Sequence, residues 1–402
     1  MAIQSDATEA REPRGIRKAL VAITLFLLNI GLMGENGFLP ITNIVYELFG
    51  NGFLSNYIIS SASLWMAVGA MLSTWLMRRM TKKWILVIGS ACFAVGSIFC
   101  VSIESGLYIA FMRSLMGLGE GIIGAVSMAY IAQMYVDSDR RAAFTGYFNA
   151  FGTLTGAVLS FASGELAMIE WTHAFYVFFP MVLVVVMAVV VLPELGMEEM
   201  PAAEEASVGR KAPLGKLYVP FIVDYVLFAA MFAITAFFIS VYVAETGLGD
   251  TAFAGRLLAL NTASGFFTSA AFGTIYSRLR KAAVIPSLAL GAVAMLAMWL
   301  FRSAVVCYAA SIILGAGYGV YFAYSYAYPA DVVPPERVDD AIGYTTAIYT
   351  LAFFLVPYLV SWIMSVSGGS VVPAFAVGAG FGVVAIAIEL ATNGAYKRAM
   401  GR

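Results

Sequence analysis

Four ionisable side chains interrupt the long apolar runs of this 402-residue chain: Glu35, Arg113, Glu120 and Asp224. A charge held at mid-bilayer depth costs at least about 2.5–3.5 kcal/mol, so each needs a partner or a water-filled cavity. Their types point to proton chemistry. A carboxylate beside an arginine is held ionised, and in a low-dielectric setting it takes up a proton when the arginine moves away. Glu35 and Arg113 are the expected pair, with Glu120 a second acid. Arg113 and Glu120 lie seven residues apart, on one helical face but about 10 Å apart along the axis, too far for direct contact. Glu35, Arg113 and Glu120 are therefore the candidate proton-coupling residues, and breaking the Glu35–Arg113 pair is the candidate coupling step.

Other polar groups in the same runs could contact a ligand. Asn36, Asn149 and Asn261 are either interhelical glue, worth about 1 kcal/mol each, or hydrogen-bonding groups for a substrate. Tyr321, Tyr324 and Tyr328 recur at i, i+3 and i+7, one helical face. A wall of rings with phenolic tips suits an amphiphilic molecule, or a cation held over ring faces. Asn36, Asn149, Asn261, Tyr321 and Tyr324 are the candidate substrate-binding residues. Asp224 lies about two turns into its run, where it either serves a gate or simply reaches water.

Several classes of function find no support. Cys92, Cys100 and Cys307 fall in apolar runs without paired or metal-ligand spacing, which argues against a disulfide or a metal site. No G-x-x-x-x-G-K-S/T phosphate cradle occurs, so ATP-driven transport is not indicated. No nucleophile–base pair of an enzyme is recognisable, and no cofactor is called for. A net charge of −1 gives no hint of nucleic acid.

The elements that must carry these residues are spans. The chain is 61% hydrophobic and 12% charged, against about 25% charged in a typical soluble domain. Twelve apolar runs of about 20 or more residues can each cross a hydrocarbon core about 30 Å thick. They are continuously apolar rather than alternating, which favours helices over a barrel. The runs fall in two similar halves. Ser73–Lys82 has a counterpart in Gly273–Lys281, Gly117 and Gly119 recur as Gly317 and Gly319, and Arg140, Gly146 and Tyr147 recur as Arg337, Gly343 and Tyr344. Such repeats are how many secondary transporters are built.

Lys and Arg set the expected orientation. With both termini cytoplasmic, every one of the 23 basic residues except Arg113, Arg256 and Arg302 falls in an inside segment, as the positive-inside rule requires. The expected organisation is a cytoplasmic leader over 1–18, a six-helix bundle over 19–193 and a cytoplasmic linker over 194–215. A second six-helix bundle over 216–396 and a cytoplasmic tail over 397–402 complete it. The linker is acidic and contains Pro193, Pro201 and Pro213, which suits a flexible connector. The basic clusters beside the spans could also bind anionic membrane lipids.

Over essentially its whole length the chain resembles the major facilitator superfamily. That family's loop between helices 2 and 3 reads G-x-x-x-D-R-x-G-R-K. Ser73–Lys82 keeps Arg78 and Lys82 but has Met77 at the aspartate. The second copy keeps Gly273, Arg278 and Lys281, with Ser277 there. The helix 4 pattern R-x-x-x-G-x-G stands as Arg113, Gly117 and Gly119. Of the antiporter pattern on helix 5 only Gly152 and Gly156 remain, with Ala157 at the proline. The resemblance implies an all-α integral membrane protein of twelve transmembrane helices in two pseudo-symmetric bundles, with helices 1, 4, 7 and 10 around a central cavity. It also implies a conformational gate to which Arg78, Arg278 and Asp224 contribute, and a proton-coupling role for Arg113.

The expected activity is alternating-access transport of a small organic molecule across the cytoplasmic membrane by a monomer. Proton-coupled efflux of lipophilic or cationic compounds is the first reading. The rivals are proton-coupled or facilitative uptake of an organic anion, with Arg113 as its anchor, and a transport-inactive sensor or assembly partner on the same fold.

Overall fold

The computed structural model describes residues 15–135, 137–195, 214–334 and 337–399. Most of the leader and of the 194–215 linker, and half of the 397–402 tail, lie outside these residues. Among the described residues the chain forms twelve helical segments and no strand. The first, α1, comprises Ile16–Leu32 and Gly34–Phe49, bent by 52° at the break. There follow α2 (Phe53–Met77), α3 (Lys82–Ile98), α4 (Gly106–Met134), α5 (Ser138–Ala167) and α6 (Trp171–Val191). The second series is α7 (Tyr218–Thr246), α8 (Thr251–Leu279), α9 (Val284–Leu300), α10 (Ala304–Val332), α11 (Val338–Val366) and α12 (Val372–Ala399).

Among the described residues, eight stretches are long and apolar enough to cross a membrane, or nine if the bent α1 is one span. The others have plain reasons. The third segment, α3, has only 17 residues, and α5 carries Asp139, Arg140, Arg141, Asn149 and Glu165. The pair α8 and α9, joined by a 3-10 turn over Arg280–Ala283, forms a single apolar stretch.

Helix ends follow from local chemistry. Asp137 and Asp250 cap α5 and α8, each accepting a backbone N–H three residues on, at 2.8 Å, as N-cap carboxylates do. The seventh helix stops at Gly247, whose φ of 65° is left-handed. The Leu248 N–H then returns to the Val243 carbonyl and the Gly247 N–H to that of Ala244, which closes the helix in a Schellman motif.

The described residues group into two compact units. The first takes those of Met1–Phe38 and Ser61–Glu199, the second those of Leu39–Ser60 and Met200–Arg402. Within the first unit, α4 runs closely along α2. A Cβ at Gly117 or Gly121 would strike the backbone of Ala62 or Met66. Small residues of this kind are what let membrane helices approach. Within the second unit, α10 approaches α8 in the same way: Gly315 lies on the backbone of Asn261 and Gly319 on that of Gly265. The glycines facing the matching helix are therefore Gly117 and Gly121 in one unit, Gly315 and Gly319 in the other. This corrects the repeat register read from sequence, which set Gly117 against Gly317. A G-x-G pattern spaced by two slides by two residues without visible mismatch, yet two residues turn a helix by about 200°.

The break in α1 is held from α5. Ser160 and Ser163 donate to the Asn36 and Gly37 carbonyls, at 3.0 and 2.5 Å, and Asn29 donates to the Phe148 carbonyl at 3.3 Å. A bent helix leaves carbonyls outside its own ladder, and in an apolar setting they need such partners. Glu35 stands at this break.

Candidate functional site

The first unit brings Glu35 and Arg113 together. One guanidinium nitrogen of Arg113, Nη2, donates to both Glu35 carboxylate oxygens at 2.9 Å. Nη1 points to the Met116 sulfur at 3.4 Å, and the guanidinium lies 3.7 Å over the Phe38 ring. A flat cation over a ring face gains quadrupole attraction, the more so where water is absent. The Arg113 side chain is 0% exposed and that of Glu35 is 19%. The acid is thus the member that can be reached, and the base sits behind it. Glu120, two turns farther along α4, is buried, and its Oε2 has no hydrogen-bond partner among the described residues. This cluster has one cation for two carboxyls.

Asn36 donates to the Met33 carbonyl at 3.4 Å. Asn149 is exposed on α5, away from this cluster. Arg78 and Arg278 are exposed at the ends of α2 and α8.

The second unit holds a cluster that sequence reasoning recognised only in part. Asp224 is completely buried in α7, where the Tyr321 hydroxyl donates to its Oδ2. Of the two readings of Asp224, the one in which it simply reaches water is overturned by this burial. Beside it the Glu389 carboxyl of α12 pairs with Lys281 Nζ at 3.3 Å, and Lys281 also donates to Thr392. Glu389 is as buried as Arg113, Glu120 and Asp224, so the sequence list of four was short by one. A carboxylate inside the last apolar run was the available signal. Lys281 was read as a loop cation marking the inner side. Instead its side chain is 4% exposed, and nothing in a loop lysine's type announces that it turns inward. Its repeat counterpart, Lys82, is also buried, but there the partner is the neutral amide of Gln133 at 2.9 Å.

Asn261 donates to the Ser311 carbonyl at 3.1 Å, tying α8 to α10 at their closest approach. This is the geometry of interhelical glue. Tyr321 and Tyr324 are buried, so the tyrosine face read from sequence turns into the unit. The half-buried aromatic surface is a different one, built from α7, α10 and α11: Phe232, Tyr318, Phe322, Tyr349 and Phe353. Phe232 stacks on Tyr318 with centroids 3.9 Å apart, Tyr349 lies 4.5 Å from Phe353, and the Tyr318 and Tyr349 hydroxyls are 3.2 Å apart. Three helices contribute, so no periodicity along one of them could have found it.

A family model of the Major Facilitator Superfamily matches residues 21–319. The chain belongs to that superfamily. Membership of the Major Facilitator Superfamily places it among membrane transporters and not among enzymes. Among similar proteins, the arabinose-proton symporter of Escherichia coli is 32% identical over 148 residues, 36% of this chain and 29% of the relative. The multidrug resistance protein Stp of Mycobacterium tuberculosis is 27% identical over 162 residues, 39% of this chain and 29% of the relative. The chain thus spans less than a third of the length of either. In fold it resembles a mutant of the peptide transporter POT in complex with alafosfalin, with a TM-score of 0.78 and 15% identity over 98% of this chain and 99% of that one. A bacterial homologue of the lysosomal transporter Spinster gives 0.70 at 15% identity, covering 96% and 98%.

Proposed function

We propose that the chain is a proton-coupled secondary transporter that exports lipophilic or cationic organic molecules by exchange against protons. The observation that supports this most is the order of the Glu35–Arg113 pair, a reachable acid in front of an unreachable base. A proton and an organic cation compete for one carboxylate, and competition for one site, alternately opened to the two sides, is exchange. With a proton gradient directed inward, exchange drives the cation outward. An organic anion would instead have to displace Glu35 and reach an arginine that is 0% exposed beneath Phe38, which makes anion uptake the weaker reading. The half-buried rings of the second unit add faces suited to apolar or cationic ligands. The relative named as a multidrug resistance protein supports export, and the one named as a proton symporter supports the proton as coupling ion. The Lys and Arg bias supports a cytoplasmic membrane location with both termini inside.

The test is proton release. Full-length protein in weakly buffered detergent, at a pH acid enough to protonate Glu35 and free it from Arg113, should release protons when a lipophilic cation such as tetraphenylphosphonium displaces them. Glu35→Gln should bind the cation at least about tenfold more weakly, the loss of about 1.4 kcal/mol or more, and should release no proton on binding. Equal release from the parent and the variant would sink the export reading, and binding of benzoate but not of the cation would replace it with anion uptake.

A further inference from the structure

We propose that Asp224 and Glu389 form a second proton-binding site, in the second unit and separate from Glu35, in which the two carboxyls share one proton beside Lys281. The argument is one of charge and burial. Asp224 and Glu389 are both buried, on α7 and α12, two helices that pack against each other within the second unit. Among the described residues the cation against them is Lys281, 3.3 Å from Glu389. Two ionised carboxylates and one ammonium would leave a net negative charge in an interior that cannot solvate it. Buried charge without a partner costs several kcal/mol, and a carboxyl pair escapes that cost by keeping a proton. Like charges at one site do the same in carboxyl dyads, where one proton belongs to the pair and not to either residue.

The groups that face this pair add no second cation. From α10 come the phenols of Tyr321, Tyr324 and Tyr328, and from α7 that of Tyr225; such groups are neutral near pH 7. Tyr321 already donates to Asp224. Farther out, Asp331 accepts from Tyr276 at 2.5 Å and from Tyr396 at 3.1 Å, and Arg280 lies 5.5 Å over the Tyr276 ring. Three buried polar atoms of the cluster have no hydrogen-bond partner among the described residues: Oδ1 of Asp224, the hydroxyl of Tyr324, and Oε2 of Glu389, which is held only by its ion pair with Lys281.

Infrared spectroscopy of the full-length protein in lipid nanodiscs tests this directly, because a protonated carboxyl absorbs apart from a carboxylate. At neutral pH, Asp224→Asn and Glu389→Gln should each lose one carboxyl's worth of that absorbance, since either change leaves one carboxylate matched by Lys281. Lys281→Met should raise it, because both acids must then be neutral. In Glu35→Gln the absorbance that depends on Asp224 should remain, so this site can stand even where the export reading fails. Unchanged protonated-carboxyl absorbance in both Asp224→Asn and Glu389→Gln would overturn the proposal, as would a fall in Lys281→Met. Labelling the aspartate carboxyls with carbon-13 gives the same answer without mutation: part of the band should shift, and a band with no aspartate component and no response to Glu389→Gln would overturn it.

Discussion

Arg113→Met should lower the stability of the first unit by about 3 kcal/mol, the low end of the range for breaking a buried ion pair by removing one partner. The low end applies because the Glu35 side chain keeps 19% of its surface exposed and can recover some hydration. The loss has two parts. Glu35 is left without its guanidinium, and Phe38 loses the cation stacked at 3.7 Å. Adding Glu35→Gln to Arg113→Met removes the orphaned charge and should return most of the stability, whereas Glu35→Gln alone leaves a buried Arg113 that only Glu120 can balance. Arg113→Lys should recover only part, because an ammonium can meet the carboxylate but cannot lie flat on the ring. The measurement is the apparent thermal midpoint in detergent for the four variants. An Arg113→Met protein as stable as the parent would mean that the pair contributes nothing to holding α1 on α4.

The all-helical architecture was legible because its signal is collective: continuous apolar runs, charges at their ends and a two-fold repeat each depend on many residues. The Glu35–Arg113 pair was legible for a related reason. Charges inside spans are rare and must find one another, so two of opposite sign on neighbouring helices nearly define a contact. What failed was whatever depends on rotation or on the direction of a single side chain. Gly117 was matched to the wrong partner because a spacing of two looks alike in either register, while the facing backbone distinguishes them. Tyr321 and Tyr324 share a face, as read, but the periodicity does not say whether that face meets a ligand or Asp224. Lys281 was hidden by its own position, since a basic residue at the end of a span satisfies the orientation rule whether it points to water or to Glu389. Arg78 and Arg278 carry the same ambiguity, and they are exposed.

The two clusters also differ in what can reach them. Glu35 stands at a helix break, partly exposed, where the export reading has a proton and an organic cation exchange. Asp224 and Glu389 are closed in by aromatic rings packed on one another, with the Phe228 ring stacked 4.0 Å from Tyr321 and Tyr324 tilted 5.1 Å from Tyr328. A bulky ligand cannot pass such packing, but a proton can, along hydroxyls. One cluster is therefore suited to substrate and proton together, the other to a proton alone.

Gly121→Ala should damage the first unit far more than Gly124→Ala, although both add one methyl to the same helix and change its intrinsic propensity equally. The difference lies in what the methyl meets. At Gly121 the new carbon strikes the backbone of Met66 and Ala70, which can yield only if α2 moves as a whole. At Gly124 it meets the end of the Leu32 side chain at 3.0 Å, and a leucine terminus can turn away. Overpacking typically costs about 1–3 kcal/mol. A rigid backbone neighbour puts Gly121 at the top of that range, and a flexible one puts Gly124 near zero. Gly315→Ala, which drives a methyl into the Asn261 carbonyl, should behave like Gly121→Ala. Gly317→Ala should be milder, because its nearest atom is 3.2 Å away. Size-exclusion profiles and apparent midpoints of the four variants decide the matter. Should Gly317→Ala prove as harmful as Gly121→Ala while Gly315→Ala is tolerated, the register of the repeat given by the α8–α10 contact would be wrong, and Asn261 would lose its place as the hydrogen bond that fixes it.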